Sequence, residues 1–320
     1  MRIFIAGATG AIGRRLVPAL IGRGHRVTGM TRSRAGADAL EELGAEPVVA
    51  DALDREQTLR AVAQASPEVV VHQMTALAEA RDLRNFDRTF AATNRLRTVG
   101  TDNLMAGARA AGARQFVAQS YGNWVYRPGG PEAKSEEDPF DPSPPLSQRR
   151  TLDAIIHLER VVRAEGELAG VVLRYGNFYG PGTALARDGE MTELVRRRRL
   201  PVIGKGGGIW SFIHVDDAAS ATLAAIDSSA RGTYNVVDDE PAPVAEWLPE
   251  LARIVGARTP WRVPEWVGRL AAGEAAVSMM TRVSGASNAR IKRELGWSPA
   301  WTSWREGLRH ELATPTSGGR

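Results

Sequence analysis

Apolar residues in this chain fall in short runs separated by longer stretches of helical period. The runs Arg2 to Ala6, His25 to Met30, Ala45 to Val49, Glu68 to His72, Gln115 to Gln119 and Gly170 to Arg174 are five or six residues long, the length of buried strands. Between them lie helical segments such as Arg14 to Ile21 and Arg149 to Glu159. This alternation predicts an α/β protein, a Rossmann-type doubly wound parallel sheet with helices on both faces. No internal repeat is present. Beyond Gly180-Pro181-Gly182 the pattern loosens, and seven of the eight tryptophans lie past residue 200. Residues 1–182 are therefore expected to form a dinucleotide-binding domain, with 211–238 returning to it, and 183–210 with 239–320 a smaller C-terminal substrate-binding region. Most of those tryptophans are expected to anchor a core. Residues 127–145, rich in Pro, Gly, Asp and Glu, are too long for an ordinary connection and predict a loop over the site or a mobile insertion.

The first strand runs directly into Gly7-Ala8-Thr9-Gly10-Ala11-Ile12-Gly13. Glycines in this spacing let a turn approach a pyrophosphate, and the following helix offers unpaired N–H groups and its positive dipole end. Gly7, Thr9, Gly10, Ala11, Ile12 and Gly13 are thus the expected cofactor cradle. An NAD-selective site places a carboxylate about 20 residues further on, but here the second strand ends in Thr31-Arg32-Ser33-Arg34. Arg32, helped by Ser33, Arg34 or Arg14, suits a 2′-phosphate, so NADPH is preferred and NADH remains possible.

Composition narrows the remaining chemistry. With no cysteine there is neither thiolate catalysis nor a cysteine-held metal, no metal site is expected, and redox chemistry has to come from the cofactor. A net charge of +4 hints at nucleic acid, yet the arginines are scattered, and no nucleic-acid partner is expected. The exception, Arg196 to Arg199, reads as the charged end of a helix stopped by Pro201. No apolar stretch reaches membrane-spanning length, so no membrane partner and a cytoplasmic location are expected. Nothing in the sequence sets the oligomeric state.

Asp51-Ala52-Leu53-Asp54, Val69 to His72, Asn94 with Gly100 to Leu104, Leu173 to Gly182, Phe212 to Asp217 and Leu295 to Pro299, together with the glycine turn, resemble in order the landmarks of extended short-chain dehydrogenases/reductases. The resemblance implies that Asp51 and Ala52 face the adenine, that Met74, Thr75 and Ala76 line the middle of the cofactor, and that the turn from Asn177 packs near the nicotinamide. His72 and His214 are expected to be framework residues, and Asp216 a helix cap.

One departure matters more than the matches. The family donates a proton through a Tyr with a Lys four residues later, and none of the five tyrosines here (121, 126, 175, 179 and 234) has one. The place of that pair falls near Thr151 and Ile155, and that of the family serine at or beside Ser120 and Tyr121. Ser120 or Tyr121 is then a candidate carbonyl contact, and Thr151 a bystander or water-holder. Two readings follow. In one, a bulky polycyclic aromatic polyketide supplies its own acid through a phenol beside its ketone, as in atypical ketoreductases of antibiotic pathways. In the other, the chain is a non-catalytic NADP-binding sensor. A sugar-nucleotide epimerase or a 3-oxoacyl-type reductase fits less well, since both rely on the missing Tyr.

Overall fold

The computed structural model describes residues 1–76, 84–130, 132–164 and 166–312. Its centre is a seven-stranded sheet of β1 (Arg2–Ala6), β2 (Arg26–Thr31), β3 (Glu46–Val49), β4 (Val69–His72), β5 (Gln115–Tyr121), β6 (Ala169–Tyr175) and β7 (Gly232–Val236). The order is β7-β6-β5-β4-β1-β2-β3 and every pairing is parallel. Each run read as a strand is one, to within a residue or two at its ends.

Neighbouring residues of one strand feed opposite faces of the sheet. Ile3 and Ile5 pack with Leu16 and Leu20 of α1 (Gly13–Gly22), Leu40 of α2 (Arg34–Glu42) and Ala218. Phe4 and Ala6 pack instead with Val62 of α3 (Arg55–Ala65), Leu104 of α4 (Thr101–Ala110) and Leu158 of α5 (Arg149–Val162). A parallel sheet buried on both sides needs such continuous apolar strands. Helix α6 (Val215–Asp227) packs on α1 and leads into β7, which completes the sheet. The strand order reverses between β1 and β4, and their C-terminal ends open a crevice where ligands bind in such sheets.

A separate core gathers Trp210, Phe212, Trp247 and Trp304 with Phe86, Trp124 and Ile155. The tryptophans are core anchors at 210, 247, 297 and 304, whereas Trp261 and Trp266 are exposed. Residues 127–145 are neither open loop nor loose insertion. Ala133–Lys134 pairs in parallel with Gly285–Ala286, Phe140 bridges Tyr126, and Glu136 accepts the Asn235 N–H at 2.7 Å, so the described part of the segment is a strap between sheet and C-terminal region. The Arg196–Arg199 run ends helix Glu190–Arg196 as read: Arg197 pairs with Glu193, and Arg198 lies 3.9 Å from the Trp261 ring centroid. Among the described residues no helix is long and apolar enough to cross a membrane, and no cluster of side chains is suited to a metal.

Candidate active site

The glycine turn has the backbone that a dinucleotide requires. Gly7 has φ +92°, and a Cβ there would stand 2.6 Å from the carbonyl of Gln73 on β4's exit. At Gly13 a side chain would strike the carbonyl of Ala8, so helix α1 starts flush against the turn. Among the described residues the N–H groups of Ala11 and Ile12 have no acceptor, and no acidic residue occupies α1's first turn. In front of them opens a cavity of about 420 Å³ lined by Thr9, Ala11, Arg14, Arg15, Pro181 and Gly182. Donors, helix dipole and two arginines around open space fit a pyrophosphate. Arg15 clamps this cradle by bonding the Ala11 carbonyl at 2.9 Å, the Pro181 carbonyl at 3.1 Å and the Asp216 carboxylate. Asp216 is therefore an ion-pair partner of Arg15, correcting its reading as a cap. The cap of α6 is His214, which accepts the Asp216 N–H at 3.2 Å.

The other residues expected to meet the cofactor follow β2, β3 and β4. Arg32 is exposed and has no ion-pair partner among the described residues, while Ser33 caps α2 by accepting the Gly36 N–H and Arg34 pairs with Asp38. Asp51 accepts the Leu53 N–H at 2.9 Å, and the cap of α3 is Asp54, not Asp51. Ala52 is buried and takes a bond from Asn103. Met74 and Ala76 are tied down by His72 and Thr93, with Thr75 half-buried between them. His72 is framework: it bridges the Leu96 carbonyl and the Met74 N–H, and burial pushes its pKa down to about 4.

The expected place of the family's Tyr and Lys is sealed. Thr151, Ile155 and Glu159 share one face of α5 and are each at most 2% exposed. The Thr151 hydroxyl donates to Asp87 at 2.7 Å and accepts from Asn94 at 2.9 Å, and Asp87 also takes the Arg150 and Thr151 N–H groups. That carboxylate caps the helix from a distant segment, and Thr151 is part of the cap. Ile155 packs with Leu152 and Trp124. The assignment of Ser120 as a carbonyl contact needs correction. Its hydroxyl is buried and donates to Glu159 at 2.8 Å, in a closed network with Arg174. Tyr121, by contrast, donates to Asn177 Oδ1 at 2.8 Å near Trp124, Phe86 and Phe90. Burial pushes its pKa up to about 12, the opposite of an activated acid.

Sequence reading missed Arg15, Asp87 and Arg97. Arg97 lies in a π-helical turn, Leu96–Gly100, that joins helix Ala91–Arg95 to α4, and it is 8% exposed. Charged residues inside a helical run are a visible signal, but only the widened turn carries this one inward.

Residues 3–237 match the model of the NAD dependent epimerase/dehydratase family, and the chain belongs to that family. It is an NAD(P)-dependent oxidoreductase. Among its relatives, a 3-diazoavenalumate denitrifying reductase from a Streptomyces species is 47% identical over 97% of this chain and 100% of that one. A 4-hydroxy-2-methyl-3-oxo-4-farnesyl-3,4-dihydroquinoline-1-oxide ketoreductase from Stigmatella aurantiaca is 25% identical over 93% and 92%. The structure of a Thermus thermophilus UDP-glucose 4-epimerase with NAD superposes with a TM-score of 0.73, at 25% identity and 98% coverage of both chains.

Proposed function

We propose that the protein reduces an aryl acceptor that needs no proton from the enzyme, foremost an aryldiazonium carrying a neighbouring phenol oxygen. The observation that carries this reading is the closed, helix-capping Thr151 with Ile155 one turn on, where the family keeps its acid. The amides of Ala11 and Ile12 would hold the pyrophosphate of NADPH and Arg32 its 2′-phosphate, and the bound cofactor would supply the hydride equivalent. The terminal diazonium nitrogen gains that hydride to give an aryldiazene, and its C–N bond breaks as the N–H hydrogen passes to the ring carbon and N₂ leaves. One hydride enters, one C–H bond forms, and no outside proton is used. The chain's own groups orient the ring: Tyr121 and Asn177 offer polar contacts, and Phe86, Phe90 and Trp124 a dry aromatic wall. The 47% identical relative, named for denitrifying a diazo compound, supports this choice.

A second reading takes a polycyclic aromatic polyketide ketone, of the angucyclinone kind, whose adjoining phenol passes its proton to the new alkoxide. The ketoreductase relative and the same aromatic wall favour it. Both readings assign the smaller C-terminal region to the substrate and place the work in the cytoplasm, where NADPH is supplied.

The test supplies NADPH deuterated at its transferable position with a 2-hydroxybenzenediazonium or with a panel of hydroxylated polycyclic ketones. The first reading expects N₂ and arene in one-to-one ratio with cofactor consumed, with deuterium on the ring carbon. Alcohol formation alone selects the ketone reading. Tight NADPH binding with no oxidation by any acceptor selects a sensor and overturns both.

A further inference from the structure

Arg97 is a buried cation for which the described residues provide no anion. Among the described residues its one hydrogen bond runs to Asn94 Oδ1 at 3.4 Å and no carboxylate pairs with it. Burial pulls its pKa down to about 10, so it stays charged at neutral pH. A buried, unpaired guanidinium is costly and is normally matched by a counter-ion. Arg97 keeps 8% of its surface exposed, so it is not wholly enclosed by the protein. The neighbourhood points the same way. Asn94 links Arg97 to Thr151 at the old acid position, and Tyr121 and His72 both lie close enough to feel the Arg97 charge. Beside Tyr121 lies Asn123, whose Oδ1 is buried without a partner among the described residues. The segment is a π-helical turn, a rare distortion that clusters at functional sites.

Resting on the reading that the acceptor is a hydroxyaryl diazonium compound, we infer that Arg97 is the receptor for the substrate's phenol oxygen and binds it as the phenolate. The guanidinium would do for a substrate phenol what the family's lysine does for its tyrosine. For a diazonium it draws electron density from the oxygen and leaves the diazo group more electrophilic. A ketone that relies on its own phenol must keep that proton until hydride arrives, so binding as the phenolate goes with the diazonium reading and not with the ketone one. The cation is retained, and the phenol it serves arrives with the substrate.

The test needs no turnover. 1-Acetyl-2-naphthol and its methyl ether are titrated into enzyme saturated with NADP⁺, reading dissociation constants and the phenolate absorption band. Wild type should show the phenolate band on binding. Arg97→Gln should lose the band and bind the phenol roughly ten- to a hundredfold more weakly, with Arg97→Lys intermediate and the methyl ether unaffected by either change. The dissociation constant of NADPH should stay within twofold throughout. A tenfold loss of NADPH affinity would reassign Arg97 to the cofactor, and equal losses for phenol and ether would make it a packing residue. Should the variants not fold, the absence of a phenolate band in wild type overturns the inference by itself. A band without turnover of any acceptor would leave Arg97's role standing while the proposed reaction fell.

Discussion

The pyrophosphate cradle and the acid position lie at one edge of one sheet, but they are built from different material. The cradle is backbone: a left-handed Gly7, a flush Gly13 and the unpaired amides of Ala11 and Ile12. The acid position needs only two side chains on one face of α5, and here they are Thr151 and Ile155, absorbed into a helix cap and a core. Changing the cradle disrupts the strand-turn-helix that starts the fold. Exchanging two side chains that fit their surroundings leaves the fold intact. Use of the cofactor is thus tied to the architecture, while the source of the proton is free to move.

The largest effect is expected where the cradle itself is altered. Gly7→Ala forces a Cβ to 2.6 Å from the Gln73 carbonyl at φ +92°, with strain of about 1–2 kcal/mol from the left-handed backbone before the clash is counted. NADPH binding should vanish and the melting temperature fall steeply. Gly24→Ala, at φ +78° with nothing within 4 Å, should show the strain alone and bind NADPH normally. Equal behaviour of the two variants in fluorescence titration would break the view that this turn is shaped for a ligand.

Next comes the attempt to restore the family's pair. Ile155 is 1% exposed, so Thr151→Tyr with Ile155→Lys buries a charge whose same-face neighbour Glu159 is already paired with Arg174, and breaks the Asp87 cap. Stability should drop by about 3–5 kcal/mol, read by denaturant unfolding. Reduction of a ketone with no neighbouring phenol should stay undetectable. A gain of ~10² or more on that ketone would show that the rest of the site still suits ordinary family chemistry, and the contrast would shrink to two residues.

The same contrast explains what could be read from the chain. Strands were legible to a residue or two because Ile3, Phe4, Ile5 and their counterparts face two cores and leave unbroken apolar runs. The glycine turn was legible because its signal is local. What escaped depends on partners far away in sequence. Asp87 caps a helix that begins more than 60 residues later, Arg15 pairs with Asp216, and the 127–145 strap finds its strand partner at Gly285–Ala286. Ser120 was misplaced for the same reason, since its fate depends on Glu159 and Arg174 beneath the sheet.

The smallest effect is expected at the far end of the cofactor, where a side chain, not backbone, decides. Of the three polar residues after β2, Ser33 is held by the Gly36 N–H and Arg34 by Asp38 at 3.0 Å, which leaves Arg32 as the cation without an ion-pair partner among the described residues. A charged hydrogen bond to the 2′-phosphate contributes about 1.5–3 kcal/mol, and exposure of Arg32 puts the effect at the lower end. Arg32→Ala should therefore weaken NADPH about tenfold, leave NADH within twofold and leave the fold unchanged. Arg34→Ala, which only frees Asp38, should shift neither cofactor by more than about twofold. Titration of both cofactors with both variants decides the point. An unchanged NADPH-to-NADH ratio in Arg32→Ala would remove Arg32 from the site and leave cofactor choice, like binding, to the backbone.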